Sequence, residues 1–520
     1  MACKCVSTTA QTIVLIRPNR FRWVYCQLEA LRHCFPTSVR HMLKELPKSL
    51  DETYERILMG INKANQQHAH RLLQCLTAAV RPLRVSELAE VLAVDFGTDS
   101  GSDASKLETD WRWEDQEDAI LSTCSSLIAV VDENEDASQD EEISESEDVS
   151  ESEDGPRVGQ SSHSHSSRAV QFSHFSVKEY LTSLRLSTSN ADVSCFHILM
   201  EPAHTIMARA CLSTLLQLGD IPDKDGLGDR FPLARYAAKH WVTHAKFEDV
   251  SSHIWEWMKI LFDPDKPYFA AWIQIYDIDV EPNSSESALW LFTSRTSDAT
   301  PLYYAALCGF PDLVEHLINK CSQDVNATGG FCVSPLVAAL SMEHFGVAEL
   351  LYQHGAQVNV QGYNNFSPLY SVSNRGSVEM VLWLLQHGAD PNSQAEGHGW
   401  TTLHRAAETG NLEVAHTLLQ YGADLNIPNV DGELPLHIAS RKWNPDAVRF
   451  FLEQGVDVNA RREDGSTPLH LASKNADLEV ARLLIEHGAN RDAEDHEGKT
   501  PSQVAEHRDM EELLLDHISK

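Results

Sequence analysis

In the C-terminal half of the chain, apolar residues recur at helical spacing in short paired runs. Leu336, Ala339 and Leu340 fall on one helical face, and so do Leu469, Leu471 and Ala472. Each such run predicts a short first helix buried on one side. A second run follows, as in Val480, Leu483, Leu484 and Ile485, and Gly488 supplies a left-handed stop after it. Prolines mark the first turns, where a missing N–H costs nothing. They stand in Thr300-Pro301-Leu302, Ser334-Pro335-Leu336, Ser367-Pro368-Leu369, Leu434-Pro435-Leu436, Thr467-Pro468-Leu469 and Thr500-Pro501, with Thr402 filling the one missing slot. Successive starts are spaced by 33 or 34 residues. Asn326, Asn359, Asn392, Asn426 and Asn459 keep the same phase. Asp431-Gly432 and Asp464-Gly465 predict tight turns between units. A unit of this size leaves two apolar faces bare, so neighbours must stack.

The period and the Thr467-Pro468-Leu469-His470-Leu471-Ala472 start resemble the ankyrin repeat family over residues 299–520, as about six full repeats and a C-terminal cap ending in Met510, Leu513, Leu514 and Leu515. In that family the histidine after Leu is a hydrogen-bonding residue at the helix start, not a metal ligand. Eight residues beyond the proline slot the turn between helices wants positive φ. Gly309, Gly376 and Gly410 meet this need; Glu343, Trp443 and Ala476 do not, so those turns are expected to be rebuilt or strained.

The N-terminal half reads differently. Ser49 with Glu52 forms a capping-box pattern ahead of Tyr54, Ile57, Leu58 and Ile61. His70 to Val94 predicts two helices split at Arg81-Pro82-Leu83, the second capped by Ser86. The runs 127–131 and 169–172 predict two strands of a hairpin whose tip is replaced by a long loop. That loop, residues 132–168, opens with 13 acidic residues and no Lys or Arg between Asp132 and Asp154, and such a segment is expected to be disordered. Ser144, Ser146, Ser150 and Ser152 lie among the acids as phosphorylation candidates. Ser176 and Glu179 suggest a further capping box. Cys211, Leu212, Leu215, Leu216 and Leu218 form an apolar stripe, and Trp241, Trp255, Trp257 and Trp272 punctuate a helical linker over 190–290.

Phe21 to Leu28, Leu46 to Leu58 and Pro232 to Trp241 resemble the region that follows the nucleotide-binding domain in fungal NACHT–ankyrin proteins, which are similar to NLR-type signalling proteins. That resemblance implies a remnant of the post-NACHT helical region over 21–66 and a winged-helix-like α+β module over 67–185. Residues 1–20 match nothing in the pattern. The overall expectation is a mostly α chain, an ankyrin solenoid preceded by that module and the helical linker. No Gly-x-x-x-x-Gly-Lys-Ser/Thr occurs, so neither ATP nor GTP binding is expected and no cofactor is implied. A truncated product or an incomplete gene model of an ATP- or GTP-driven sensor accounts for the missing core.

Composition narrows the partners. With 42 Lys+Arg against 76 Asp+Glu the net charge is −34, which repels phosphate backbones and anionic membranes. Eleven scattered cysteines without a Cys-x-x-Cys pair read as reduced thiols of a cytoplasmic or nuclear protein. Neither a metal-ligand pattern nor a catalytic motif emerges, and a non-enzymatic scaffold is expected.

The ankyrin resemblance implies that partners bind a concave face lined by hairpin tips and first helices. The tips are expected at Tyr363, Asn364, His398, Trp400, Asp431, Glu433, Arg462, Glu463, Asp464, His496 and Glu497, with Tyr363 and Trp400 as aromatic anchors. From residue 299 on, 14 basic against 30 acidic residues leave −16, so a protein partner with a basic or mixed-charge surface is expected. The alternative is a regulatory or decoy partner of a complete NACHT NTPase.

Overall fold

The computed structural model describes residues 49–94, 116–124, 126–132, 168–219, 227–279, 299–330, 332, 334–360, 366–373, 377–395 and 397–515. The chain forms two compact units, 1–277 and 278–520.

In the first unit, α1 (Leu50–Met59) starts at Ser49, whose hydroxyl accepts the Glu52 N–H at 3.1 Å. Then follow α2 (Gln66–Ala78), β1 (Leu83–Arg84), α3 (Val85–Ala93), α4 (Gln116–Cys124), β2 (Ile128–Asp132) and β3 (Arg168–Phe172). The strands make an antiparallel sheet in the order β1-β3-β2. Ile128 opposes Phe172 and Asp132 opposes Arg168, as the hairpin reading required. Residues 133–167, with the four serines, lie outside the described residues.

Two helix starts differ from expectation. Ser86 lies inside α3, which begins at Val85. Here Glu87 does the capping, its carboxylate accepting the Arg84 N–H at 2.8 Å and both guanidinium nitrogens of Arg81 at 2.6 and 2.9 Å. A carboxylate satisfies an orphan N–H and a cation together, which a hydroxyl cannot. Likewise His174, rather than Ser176, caps α5 (Phe175–Leu181), accepting the Ser176 N–H at 3.2 Å. Ser176 turns its hydroxyl to Tyr54 Oη at 2.8 Å.

Three short pieces, α6 (Leu184–Ser187), α7 (Ala191–Ser194) and the loop after it, lead into α8 (Met200–Leu215). This helix packs on α2 and on α9 (Ala234–Ala245), so the expected module and helical linker share one core. The stripe Cys211, Leu212, Leu215, Leu216 and Leu218 is buried there. After α10 (Val250–His253), α11 (Trp255–Leu261) and α12 (Tyr268–Ile275), Trp241, Phe262 and Trp272 close an aromatic cluster. Trp272 donates its indole N–H to the Ala238 carbonyl at 2.9 Å. Trp255 and Trp257 are only half-buried.

One buried polar chain threads this core. The Val80 N–H donates to Tyr236 Oη at 3.1 Å, Tyr236 Oη meets His244 Nε2 at 2.9 Å, and His244 Nδ1 meets His204 Nδ1 at 2.9 Å. Since Tyr236 Oη already accepts, its own proton goes to His244, whose Nδ1–H in turn donates to His204. Burial, with the His204 charge beside it, pushes the His244 pKa down to about 3.

The second unit is a row of seven helix pairs among the described residues. They are α13 (Pro301–Cys308) with α14 (Pro311–Asn319), α15 (Pro335–Ser341) with α16 (Phe345–Gln353), and α17 (Pro368–Ser373) with α18 (Val378–Gln386). Next come α19 (Thr402–Thr409) with α20 (Leu412–Gln420), α21 (Pro435–Arg441) with α22 (Pro445–Glu453), α23 (Pro468–Lys474) with α24 (Leu478–Glu486), and α25 (Pro501–Val504) with α26 (Arg508–Leu515). Each first helix packs on the next first helix, as stacked units must. The turns within the pairs are not rebuilt where glycine is missing. Glu343, Trp443 and Ala476 adopt φ of 59°, 60° and 58°, beside 72° at Gly309 and 73° at Gly410, so these three residues carry the strain. Gly376 lies outside the described residues.

Candidate functional site

Three rows of hydrogen bonds cross the boundaries between repeats and fix what the stack presents to solvent. The first uses the histidines at the helix starts. His404 Nδ1 accepts the Thr401 N–H at 3.1 Å, leaving Nε2–H to donate to the Glu433 carbonyl of the next repeat at 2.8 Å. His437 reaches the Ala460 carbonyl and His470 the Lys499 carbonyl, each at 3.1 Å. Burial lowers all three imidazole pKa values, to about 4 for His404 and His437. These side chains are neutral cross-braces.

The second row uses asparagines. Asn326, Asn359, Asn392 and Asn459 each donate Nδ2–H to the carbonyl of a glycine in the following repeat, Gly355, Gly388, Gly422 and Gly488, at 3.1 to 3.2 Å. Asn426 instead turns its amide onto Asp424 Oδ1 of its own repeat at 3.2 Å. The third row joins hairpin to hairpin through the backbone. Val430 N–H donates to the His398 carbonyl at 3.0 Å, Glu463 N–H to Asp431 at 3.0 Å, and His496 N–H to Asp464 at 2.9 Å.

The hairpin tips are therefore held in line, and most of the expected residues sit on them at the surface, some of them ion-paired, as Asp464 is with Arg462 and Glu497 with Lys499. His398, Asp431, Glu463, Asp464, His496 and Glu497 are exposed. Trp400 is half-buried with its ring 6.0 Å from that of His404. Tyr363 and Asn364 lie outside the described residues. Arg462 is half-buried, and Glu433 is buried, at 2%.

Glu433 is the hub of an ion-pair network. Its carboxylate accepts Asn429 Nδ2–H at 2.9 Å and Arg462 at 3.0 Å, with Arg441 at 3.6 Å. Arg462 also lies 3.1 Å from Asp464. Burial opposes ionisation of Asp464, yet hydrogen bonds from Ser466 and the Arg462 charge hold its carboxyl below the ordinary value. A second network runs over the first helices. Arg405 lies over the Tyr370 ring at 6.0 Å and pairs with Glu408 at 2.6 Å, and Glu408 pairs with Lys442 at 2.8 Å. Partial burial works against ionisation of Glu408, but the bonds from Lys442 and Arg405 outweigh it and lower its pKa. Burial raises the Tyr370 phenol.

The face thus carries interleaved charges of both signs. The tips carry acids at Asp431, Glu463, Asp464 and Glu497 with Arg462 among them, while Arg405, Arg441 and Lys442, on or just past the first helices, are paired with Glu408 and Glu433. Sequence reasoning aimed at hairpin tips missed Tyr370, Arg405, Glu408, Arg441 and Lys442. The signal was available: Tyr370 takes the slot of the bracing histidine, and Arg405 directly follows one. Among the described residues no group of three or more His, Cys, Asp or Glu is placed to hold a metal ion, and no helix is long and apolar enough to cross a membrane.

Comparison with known proteins agrees with this geometry. Residues 278–362, 369–462 and 436–520 match the family described as ankyrin repeats in three copies. The azaphilone pigments biosynthesis cluster protein L of Monascus ruber is 32% identical over 335 residues, which is 61% of either chain. The human BCL-6 corepressor-like protein 1 is 37% identical over 101 residues, 19% of this chain and 6% of that one. Among solved structures, the human ASB11 ankyrin repeat domain is 30% identical with a TM-score of 0.37, and covers 42% of this chain and 97% of its own. The Bcl-3 ankyrin repeat domain is 26% identical with a TM-score of 0.39, covering 42% of this chain and 98% of its own. The chain thus spans about three fifths of the first of these curated relatives and a small part of the second. Residues 278–520 are a protein–protein interaction module of ankyrin repeats, a fold that is typically not enzymatic.

Proposed function

We propose that this chain, whose C-terminal unit is a stack of ankyrin repeats, acts as a recognition scaffold that grips a protein of mixed surface charge across its hairpin tips and first helices. The observation that carries the reading is the mixed-sign surface just described, with exposed acids at the tips and ion-paired bases over the first helices. Acidic tips favour basic groups on the partner, and the Arg405–Lys442 and Arg441–Arg462 rows favour acidic ones, which fixes orientation more than affinity. Those bases refine the expectation of a basic partner drawn from net charge alone. A charge swap tests it without breaking the internal pairs: Arg405→Glu, Glu408→Arg and Lys442→Glu together keep both ion pairs while inverting their signs. Loss of captured partners by at least ~10-fold with unchanged thermal stability supports the reading, since like charges brought together across an interface cost about 1.4 kcal/mol or more. Equal capture refutes it.

A second reading has its own support. The order helix, strand, helix, helix, strand, strand, with the sheet order β1-β3-β2, favours a winged-helix-like module over 67–185. Together with the motif resemblance over 21–290, this supports a regulatory or decoy partner of a NACHT NTPase, related to fungal NLR-like signalling. In this reading the full chain bearing the charge swap still co-purifies with a NACHT protein; failure to do so removes it. This reading places the protein in the cytoplasm, where thiols such as the buried Cys75 and Cys211 stay reduced.

A further inference from the structure

We propose that the first unit holds a separate docking cleft for an extended peptide segment that alternates apolar and basic side chains. The cleft has a volume of about 570 Å³ and lies where the end of α5, the starts of α6 and α8 and the loop from α9 into α10 meet. One wall is apolar: Leu184 and Leu199 line it while 80% and 60% exposed, with Ile198 and Met200 behind them. Two leucines left this open on one wall forfeit burial that a partner can supply.

Acidic groups, with His197 and His253, share the lining. Glu201, Glu248 and Asp249 line the cleft, and no Lys or Arg does. Glu201 is already engaged, lying 3.1 Å from His253 Nδ1, so Glu248 and Asp249 carry the open charge. Among the described residues neither of these two carboxylates is paired with a basic side chain, and both residues are exposed. Glu248 also holds a φ of 39°, a conformation that disfavours every side chain but glycine's. The fold therefore keeps a carboxylate at a position where the backbone prefers none. An apolar wall together with open carboxylates selects a chain with leucine-like side chains on one side and Lys or Arg on the other. An acidic or phosphorylated segment is repelled, and an uncharged apolar one leaves the carboxylates unanswered. Every residue lining this cleft belongs to the first unit, so the proposal does not rest on the repeats.

The test uses the full chain and three capped, fluorescent hexapeptides: alternating Leu and Arg, alternating Leu and Glu, and alternating Ser and Arg. Anisotropy is expected to show saturable binding of the Leu/Arg peptide only, weakening at least tenfold between 50 and 500 mM salt by ~ Debye screening. Leu184→Asp is expected to weaken it tenfold or more. Glu248→Gly separates binding from folding, because it removes a carboxylate while relieving the backbone: affinity falls severalfold and the melting temperature stays or rises. Equal binding of the Leu/Arg and Ser/Arg peptides, or affinity unmoved by both substitutions, overturns the proposal. So does a loss of affinity in Glu248→Gly that tracks a fall in melting temperature.

Discussion

The turn between the two helices of each pair offers a two-way test, because one backbone conformation is imposed on unlike residues. Gly410 has φ 73° and Ala476 has φ 58° at the same slot of their repeats. Replacing Gly410 by alanine puts a Cβ into a left-handed conformation, at about 1–2 kcal/mol. It recovers about 0.4–1 kcal/mol from the stiffer unfolded chain. The new Cβ also meets the side chain of Asn444, whose Oδ1 caps α22 by accepting the Ala447 N–H at 3.0 Å. Displacing that cap costs about 1 kcal/mol more. The net for Gly410→Ala is a loss of about 2 kcal/mol. The reverse change, Ala476→Gly, relieves the strain, repays the unfolded-state entropy and disturbs no cap, for a net gain of about 0.5–1 kcal/mol. Hydrogen exchange of the intact chain reads both locally. Peptides over α19 to α22 should exchange about 30-fold faster in Gly410→Ala, and peptides over α23 and α24 about 2- to 5-fold slower in Ala476→Gly. If Gly410→Ala leaves exchange unchanged, or Ala476→Gly accelerates it, the strain argument fails.

Acid should loosen the stack before it reaches the carboxylates. His404 and His437 have folded pKa values of about 4, below the unfolded value of 6.5, so their stability is full above pH 6.5 and drains away as pH falls toward 4. Each accounts for up to about 3 kcal/mol, read as a falling urea midpoint between pH 7 and pH 4.5, and His404→Gln should flatten that slope. His244 titrates in the same direction with a folded value of about 3, so exchange in α8 and α9 should likewise quicken over that range, and His244→Phe should suppress the effect. Glu433→Gln leaves Arg441 and Arg462 without their shared anion and should cost about 2 kcal/mol, less than a fully buried pair because both arginines reach solvent. A urea midpoint unmoved by that change would show that the network contributes nothing.

Much of the second unit was legible because its signals are local and repeated. A proline, an apolar helix face and a glycine stop recur in nearly every 33- or 34-residue period, with Thr402 replacing one proline and Ser322, at φ 52°, one glycine, so one misread unit is corrected by its neighbours. Even the strained turns were marked, by the absence of glycine at Glu343, Trp443 and Ala476. What stayed hidden depends on contacts between distant residues. Glu433 reads as a tip residue because it follows Asp431-Gly432, yet Arg441 and Arg462, 8 and 29 residues onward, draw it inside. Arg405 and Lys442 are ordinary surface residues until stacking brings both to Glu408. In the first unit, Ser86 and Ser176 fit capping patterns, but Arg81 and Tyr54 gave neighbouring groups better partners. The cleft beside Leu184 and Glu248 joins segments 64 residues apart and has no signature along the chain.

The most direct test of the proposed function places a photo-crosslinking amino acid at Lys442, on the first-helix face, and separately at Arg449 and Arg482, both exposed on second helices. In cells, a partner is expected to be trapped from position 442 and not from 449 or 482. Equal trapping at all three positions, or trapping from the second helices alone, would contradict recognition through the first helices and hairpin tips.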